Sequence, residues 1–241
     1  TPKTSSAASD VYKRQVLDWM EEWLQTEWPE LKVYLTSVTE EWSVATLSGP
    51  NAGKILKAAG VDISLDPADF PFMTMREAHI AGLPVRIFRI SFTGELSYEI
   101  NIRARHGLAL WTHLMKAGAE FGITPYGTEA MHVLRAEKGF IIVGQETDGS
   151  VTPQDLGMDW IVSKVKPDYI GKRALERASM AADNRKQLVG LRTKERKQVI
   201  PEGAHAVLDP NQPMPMDMLG QVTSSYYSPN VGSSIAMAML K

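Results

Sequence analysis

Apolar residues spaced three and four apart mark the first readable element. Leu17, Met20, Trp23 and Leu24 recur at that spacing with Glu21, Glu22 and Glu27 between them, which predicts an amphipathic helix over residues 16–28, stopped by Pro29. Residues 32–38 and 42–47 alternate apolar and polar and read as strands. Gly49-Pro50 breaks the pattern, and residues 51–59 read as a short helix with Ile55 and Leu56 facing inward. Asp66-Pro67 and Phe70-Pro71 punctuate a loop. Two strands follow over residues 85–92 and 96–102, joined by Thr93-Gly94-Glu95 as a hairpin in which Gly94 supplies a positive φ. Helices are predicted over 108–121, ended by Gly122, and over 128–138, ended by Gly139. Residues 160–165 read as a strand, 172–179 as a helix and 187–191 as a strand, after which Gly, Pro and short β segments dominate.

The two ends fit this pattern poorly. Residues 1–15 are rich in Ser, Ala, Lys and Thr without apolar periodicity, and are expected to be a lead-in that is disordered or foreign to the natural chain. Residues 233–240 form an apolar run that reaches Lys241 with no closing turn, so a strand there is expected to have no obvious partner after it, with sequence missing downstream. The class is α+β over residues 16–185, followed from residue 186 by the start of a separate β domain.

Composition removes several function classes. Lys plus Arg number 26 against 28 Asp plus Glu, a net charge of −2, which does not suit a basic nucleic-acid binder. The chain has no cysteine, so disulfides, thiolate zinc sites, iron–sulfur clusters and a cysteine nucleophile are excluded within it. No apolar run approaches the roughly 20 residues that span a bilayer. With no secretory signal visible either, a cytoplasmic protein with no membrane and no nucleic-acid partner is expected. His79, His106, His113, His132 and His205 are scattered, and none sits at i, i+4 with a carboxylate, so no metal site is predicted. Met214, Met216 and Met218 alternate beside prolines as an apolar edge, and residues 194–197 form a solvated mixed-charge loop. There is no G-x-S-x-G elbow and no glycine-rich phosphate loop.

Two segments carry more information. The first is R-I-S-F-T-G-E-L-S-Y-E-I over residues 89–100. The second is L-R-A-E-K-G over residues 134–139, at a helix C-terminus, with Thr152-Pro153 beyond it. The helix dipole disfavours a carboxylate there, so Glu137 is either solvent-exposed or held by a compensating partner.

Together with Leu47-Ser48-Gly49-Pro50 and Y-I-G-K-R-A-L over residues 169–175, these segments resemble, in order and spacing, the folate-binding aminomethyltransferase family typified by the glycine-cleavage T-protein. The resemblance covers residues 19–191. Residues 16–29 and 38–42 look more particularly like the C-terminal part of the α subunits of heterotetrameric sarcosine oxidases.

The resemblance implies a T-protein-like, three-part fold around a tetrahydrofolate channel, shortened at both ends, with residues 186–241 beginning a C-terminal β-barrel. It implies tetrahydrofolate as the cofactor of this part, with FAD, FMN and NAD held elsewhere in the whole enzyme, and other sarcosine oxidase subunits as partners. The implied reaction passes the one-carbon unit of oxidised sarcosine, an imine, to tetrahydrofolate, giving 5,10-methylenetetrahydrofolate and glycine. The isolated chain is expected to be inactive. The other readings are a glycine-cleavage aminomethyltransferase, a dimethylglycine dehydrogenase C-terminal region, and a non-catalytic folate-binding or assembly module.

Site residues follow from the same resemblance. Glu137 falls at the pterin-binding glutamate, where an ionised carboxylate accepts two adjacent N–H donors. Lys166 falls where a basic residue faces the folate tail, and otherwise reads as a surface lysine. Val44 and Ala45 fall where backbone lines the pterin pocket. The family's catalytic aspartate, three residues before the helix tryptophan, would fall on Val16. Asp18 is the nearest acid, displaced by two positions or about 200° around a helix, and stands as the catalytic candidate or as a solvent-exposed acid.

Overall fold

A computed structural model describes the backbone of residues 4–241 and the side chains of residues 14–241. The first helix, α1, runs Thr4–Thr26. It takes in most of the residues expected to be an unstructured lead-in, and residues 1–3 lie outside the described residues. No Gly or Pro interrupts the chain between Lys3 and Trp28, and such a stretch can stay helical without an apolar stripe. Trp23 meets Trp19 edge-on at 6.3 Å and stacks on Trp28 at 5.2 Å. Residues 32–38 are not a strand: they pair with no neighbour, and alternation alone does not supply the ladder partner that a strand needs.

The first sheet has four antiparallel strands in the order β1-β4-β3-β2, namely β1 Trp42–Ser48, β2 Met75–Ile80, β3 Leu83–Phe88 and β4 Ser97–Arg103. Helices α2 (Ala52–Ala58) and α3 (Gly107–Gly118) cover one face. Between them lies the core of Leu47, Ile55, Leu56, Phe70, Ile87, Ile100, Leu110 and Leu114. Strand β2 escapes a pattern reading because only Ala78 and Ile80 of its six residues are buried. Its hairpin with β3 turns on Ala81 and Gly82, both at positive φ (50° and 76°), between the paired Ile80 and Leu83, as a two-residue type I′ turn requires.

The predicted β3–β4 hairpin forms, pairing Val85 with Ile102 and Phe88 with Glu99. Its connection spans residues 89–96 rather than three residues, because Arg89 leaves β4 to exchange backbone hydrogen bonds with residues 73 and 74. Gly94 (φ 76°) lies against Lys138, whose Cγ a Cβ there would approach to 2.3 Å, so the two motif segments are in contact.

Helix α4 is Thr128–Glu137. Gly122 and Gly139 stand at φ 72° and 71° after their helices, as predicted. Residues 160–165 are not a strand: Asp159–Ile161 is a single 3-10 turn. Helix α5 is only Lys172–Leu175.

The second sheet has the order β5-β8-β7-β6, with β5 Gln187–Arg192, β6 His205–Val207, β7 Met218–Ser228 and β8 Ser233–Leu240. Strand β8 finds its partners earlier in the chain, lying between β5 and β7. This central position explains its unbroken apolar run, since Ala236, Met237, Ala238 and Met239 are all buried. Helix α4 packs on β7 and β8 and joins the two halves. The architecture is α+β, as expected.

Candidate functional site

A cavity of about 520 Å³ lies between β1, the start of α2, α3 and the segment leading into α4. Its floor is residues 44–48 of β1 and the Gly49-Pro50-Asn51 turn. Gly49 (φ 115°) donates its N–H to Leu96 O at 2.8 Å and accepts from the Ala52 N–H, so the turn both ties back to the β3–β4 connection and starts α2. Asn51 Nδ2 reaches Phe121 O at 3.4 Å and holds the opposite wall. Trp111, Leu114, Met115, Phe121, Tyr126 and Met131 make the walls largely apolar and aromatic.

A smaller cavity of about 270 Å³ adjoins it, sharing Thr46, Ser48, Tyr126 and Met131 and adding Phe92, Thr93, Ser97 and Glu99. The Ser48 and Thr93 hydroxyls are 3.2 Å apart. Burial pushes the Glu99 carboxyl above its ordinary range, with no opposing charge.

Of the residues singled out from sequence, Val44 and Ala45 line the main cavity. The others do not converge on it. The Glu137 carboxylate is occupied within the chain: Ser228 Oγ donates to one oxygen at 2.5 Å, and Asn230 Nδ2 lies 3.2 and 3.1 Å from the two. Those donors, at the β7–β8 turn, offset the unfavourable helix end. Met131 faces the cavity, and Glu137 lies six residues on, about 240° around the helix. Asp18 is exposed on α1. Lys166 is exposed, with its backbone N–H donated to Ser163 Oγ. Among the described residues no group of His, Cys, Asp and Glu could hold a metal ion, and no helix is long and apolar enough to cross a membrane.

Sequence reasoning missed Glu99 as a cavity residue. The available signal was parity: Ser97 and Glu99 share the strand face opposite Tyr98 and Ile100, which are buried in the core. Trp111 and Tyr126 carried no such signal, because only tertiary packing brings them to β1.

Comparison with known proteins identifies both halves. The profile of the GCVT N-terminal domain matches residues 5–166. That of the glycine cleavage T-protein C-terminal barrel domain matches residues 186–241. The chain is 50% identical over 233 residues to sarcosine oxidase subunit alpha of Corynebacterium sp. (strain P-1), covering 94% of this chain and 24% of that one. It is 32% identical to the aminomethyltransferase of Halothermothrix orenii, covering 84% of this chain and 54% of that one. It is 35% identical to human mitochondrial dimethylglycine dehydrogenase, covering 86% and 23%. Among solved structures, glycine cleavage system aminomethyltransferase T from Bartonella henselae superposes with a TM-score of 0.68 at 26% identity, over 83% of this chain and 51% of that one. The chain thus spans about a quarter of the length of the sarcosine oxidase subunits it resembles. With both profiles matched in order, one on each sheet-bearing half, the chain belongs to the glycine cleavage T-protein family.

Proposed function

We propose that this chain is the tetrahydrofolate-binding portion of a sarcosine-oxidase-type α subunit, and that the cavity on β1 is where a one-carbon unit from oxidised sarcosine is passed to tetrahydrofolate. The observation that carries this reading is the cavity itself. Its volume of about 520 Å³ lies within the usual range for small-molecule sites, roughly 300–1,000 Å³. Its walls carry Trp111, Phe121 and Tyr126, which suit a flat heteroaromatic body. Val44 and Ala45 lie where the family resemblance expects a pterin-lining backbone. The sarcosine oxidase α relatives at 50%, 47% and 39% identity favour this reading over a free-standing aminomethyltransferase.

When bound, tetrahydrofolate supplies the nucleophilic N5 that accepts the one-carbon unit, yielding 5,10-methylenetetrahydrofolate and glycine. The residues of this chain contribute position and dryness. The β1 floor and the Trp111 and Tyr126 walls hold the ring in one orientation, which saves the entropy of a bimolecular encounter, and their apolar surface keeps water from a hydrolysable imine. FAD, FMN and NAD belong, in this reading, to other parts of the whole enzyme and to its partner subunits.

The test is to add tetrahydrofolate to the full oxidase assembly during sarcosine turnover and to identify the one-carbon product. Methylenetetrahydrofolate is expected, and its yield should fall when Trp111 is replaced by Ala. Free formaldehyde as the sole product, whatever the folate concentration, would reduce this part to a folate-binding or assembly module.

A further inference from the structure

We infer that two exposed faces of this chain, the outward stripe of α1 and residues 160–173, are the two halves of a head-to-tail contact with a second copy of the chain. The inference goes beyond the folate reading and does not depend on it.

Helix α1 carries the first face. Val16, Trp19, Met20 and Trp23 follow at helical spacing and fall within about 100° of arc on one side of the helix. Val16, Trp19 and Met20 are each about half exposed. Glu22 flanks the stripe and Glu27 stands at its end, both exposed. Residues 15–31 hold five acids and no Lys, Arg or His, a net charge of −5. Among the described residues, none of these seventeen exchanges a hydrogen bond or ion pair with a residue beyond Val33.

Residues 160–173 carry the second face. Trp160 is 72% exposed and Val165 90%, with Ile161 and Ile170 exposed beside them in the chain. Lys164, Lys166, Lys172 and Arg173 stand against Asp168 alone, a net charge of +3. Lys164 and Lys166 flank Val165, both are exposed, and neither has an ion pair among the described residues.

Large apolar side chains this open to water mark contact surfaces, and charge selects what covers them. Neither face suits a copy of itself, since like charges would be brought together. Each suits the other: the apolar groups bury one another, and Glu22 and Glu27 meet the lysines beside Val165. Within one chain no hydrogen bond or ion pair joins residues 15–31 to 160–173, so the complement comes from a neighbouring copy, as a heterologous contact. A polyanion on the basic face would leave the α1 stripe uncovered.

Sedimentation velocity on the 241-residue chain, over a wide concentration range at low and at high salt, tests this. Wild type should associate as concentration rises, more weakly at high salt. Glu22→Lys with Glu27→Lys gives one variant, and Lys164→Glu with Lys166→Glu the other; all four side chains are exposed, and unfolding curves verify that each variant folds. Each variant alone should be monomeric. Mixing the two, or placing all four substitutions in one chain, should restore association, because the faces are again opposite in sign. Trp19→Ala should weaken association by about ten- to a hundredfold. A monomer at every concentration overturns the inference and leaves both faces to a different chain. Association that neither reversal weakens, that only one reversal abolishes, or that mixing and the fourfold swap fail to restore also overturns it.

Discussion

The Arg135 guanidinium and the Glu146 carboxylate, eleven residues apart in sequence, meet at 2.9 Å with neither side chain exposed to solvent. Ser224 of β7 completes the triangle: it accepts from Arg135 Nη2 at 2.6 Å and donates to Glu146. The Glu146 carboxylate also takes the Ile142 N–H at 2.6 Å, and Arg135 Nη1 donates to Phe140 O at 3.0 Å. The R of the L-R-A-E motif is therefore the joint between α4 and the second sheet. Replacing Arg135 by Met strands a buried carboxylate, so a loss of about 3–5 kcal/mol is expected in chemical unfolding. A loss below about 1 kcal/mol would show that the joint contributes little.

Glu137, two residues on, is expected to act first on stability. Its hydrogen bonds with Ser228 and Asn230 hold the β7–β8 turn against the end of α4. Glu137→Ala should cost about 1–3 kcal/mol, and Ser228→Ala should reproduce part of that loss. Full stability combined with lost folate affinity would instead place Glu137 among the ligand-binding residues.

Asp155 gives the fold an acid-sensitive point. Burial alone raises its carboxyl, but hydrogen bonds from Arg185 and from the Thr152 N–H outweigh burial and hold it below the ordinary aspartate value. A carboxyl whose folded value is depressed adds stability that is complete above its unfolded value and lost as pH falls through the folded one. Unfolding free energy should therefore decline below the ordinary aspartate range, and Asp155→Asn should flatten that decline while lowering stability at neutral pH. Parallel pH profiles for wild type and variant would contradict this.

Gly220 is fixed by backbone contact. A Cβ there would lie 1.8 Å from Met239 O of β8, at φ 157°. Gly220→Ala should destabilise by at least about 1–3 kcal/mol, the cost of a strained or displaced strand residue, read as a lower thermal midpoint. An unchanged midpoint would mean that the β7–β8 pairing can yield there.

Much of this was legible in the sequence, and the omissions have physical causes. The helices ending at Gly122 and Gly139 and strands β1, β4 and β5 follow from periodicity and glycine stops, because each buries one face in a regular way. Strand β2 and the long β3–β4 connection were not legible, since an edge strand with two buried residues leaves almost no pattern. Residues 32–38 and 160–165 show the converse: alternation without a pairing partner makes no strand. For the site, family resemblance named Val44 and Ala45, and both lie along the cavity on β1. It also named Glu137, whose carboxylate takes hydrogen bonds from residues 91 and 93 positions away, contacts that no local pattern shows. Glu99 was within the recognised motif, and only the pairing register with Thr46 shows that it faces a cavity.

Methionine methyl NMR tests the central claim most directly, because the chain holds twelve methionines and two of them, Met115 and Met131, line the cavity on β1. Titration with tetrahydrofolate is expected to shift the Met115 and Met131 methyl signals saturably while Met214, Met216 and Met218, far along the chain in the second half, stay in place. Saturating tetrahydrofolate that leaves Met115 and Met131 unmoved, or that shifts only methionines of the second sheet, would contradict the account.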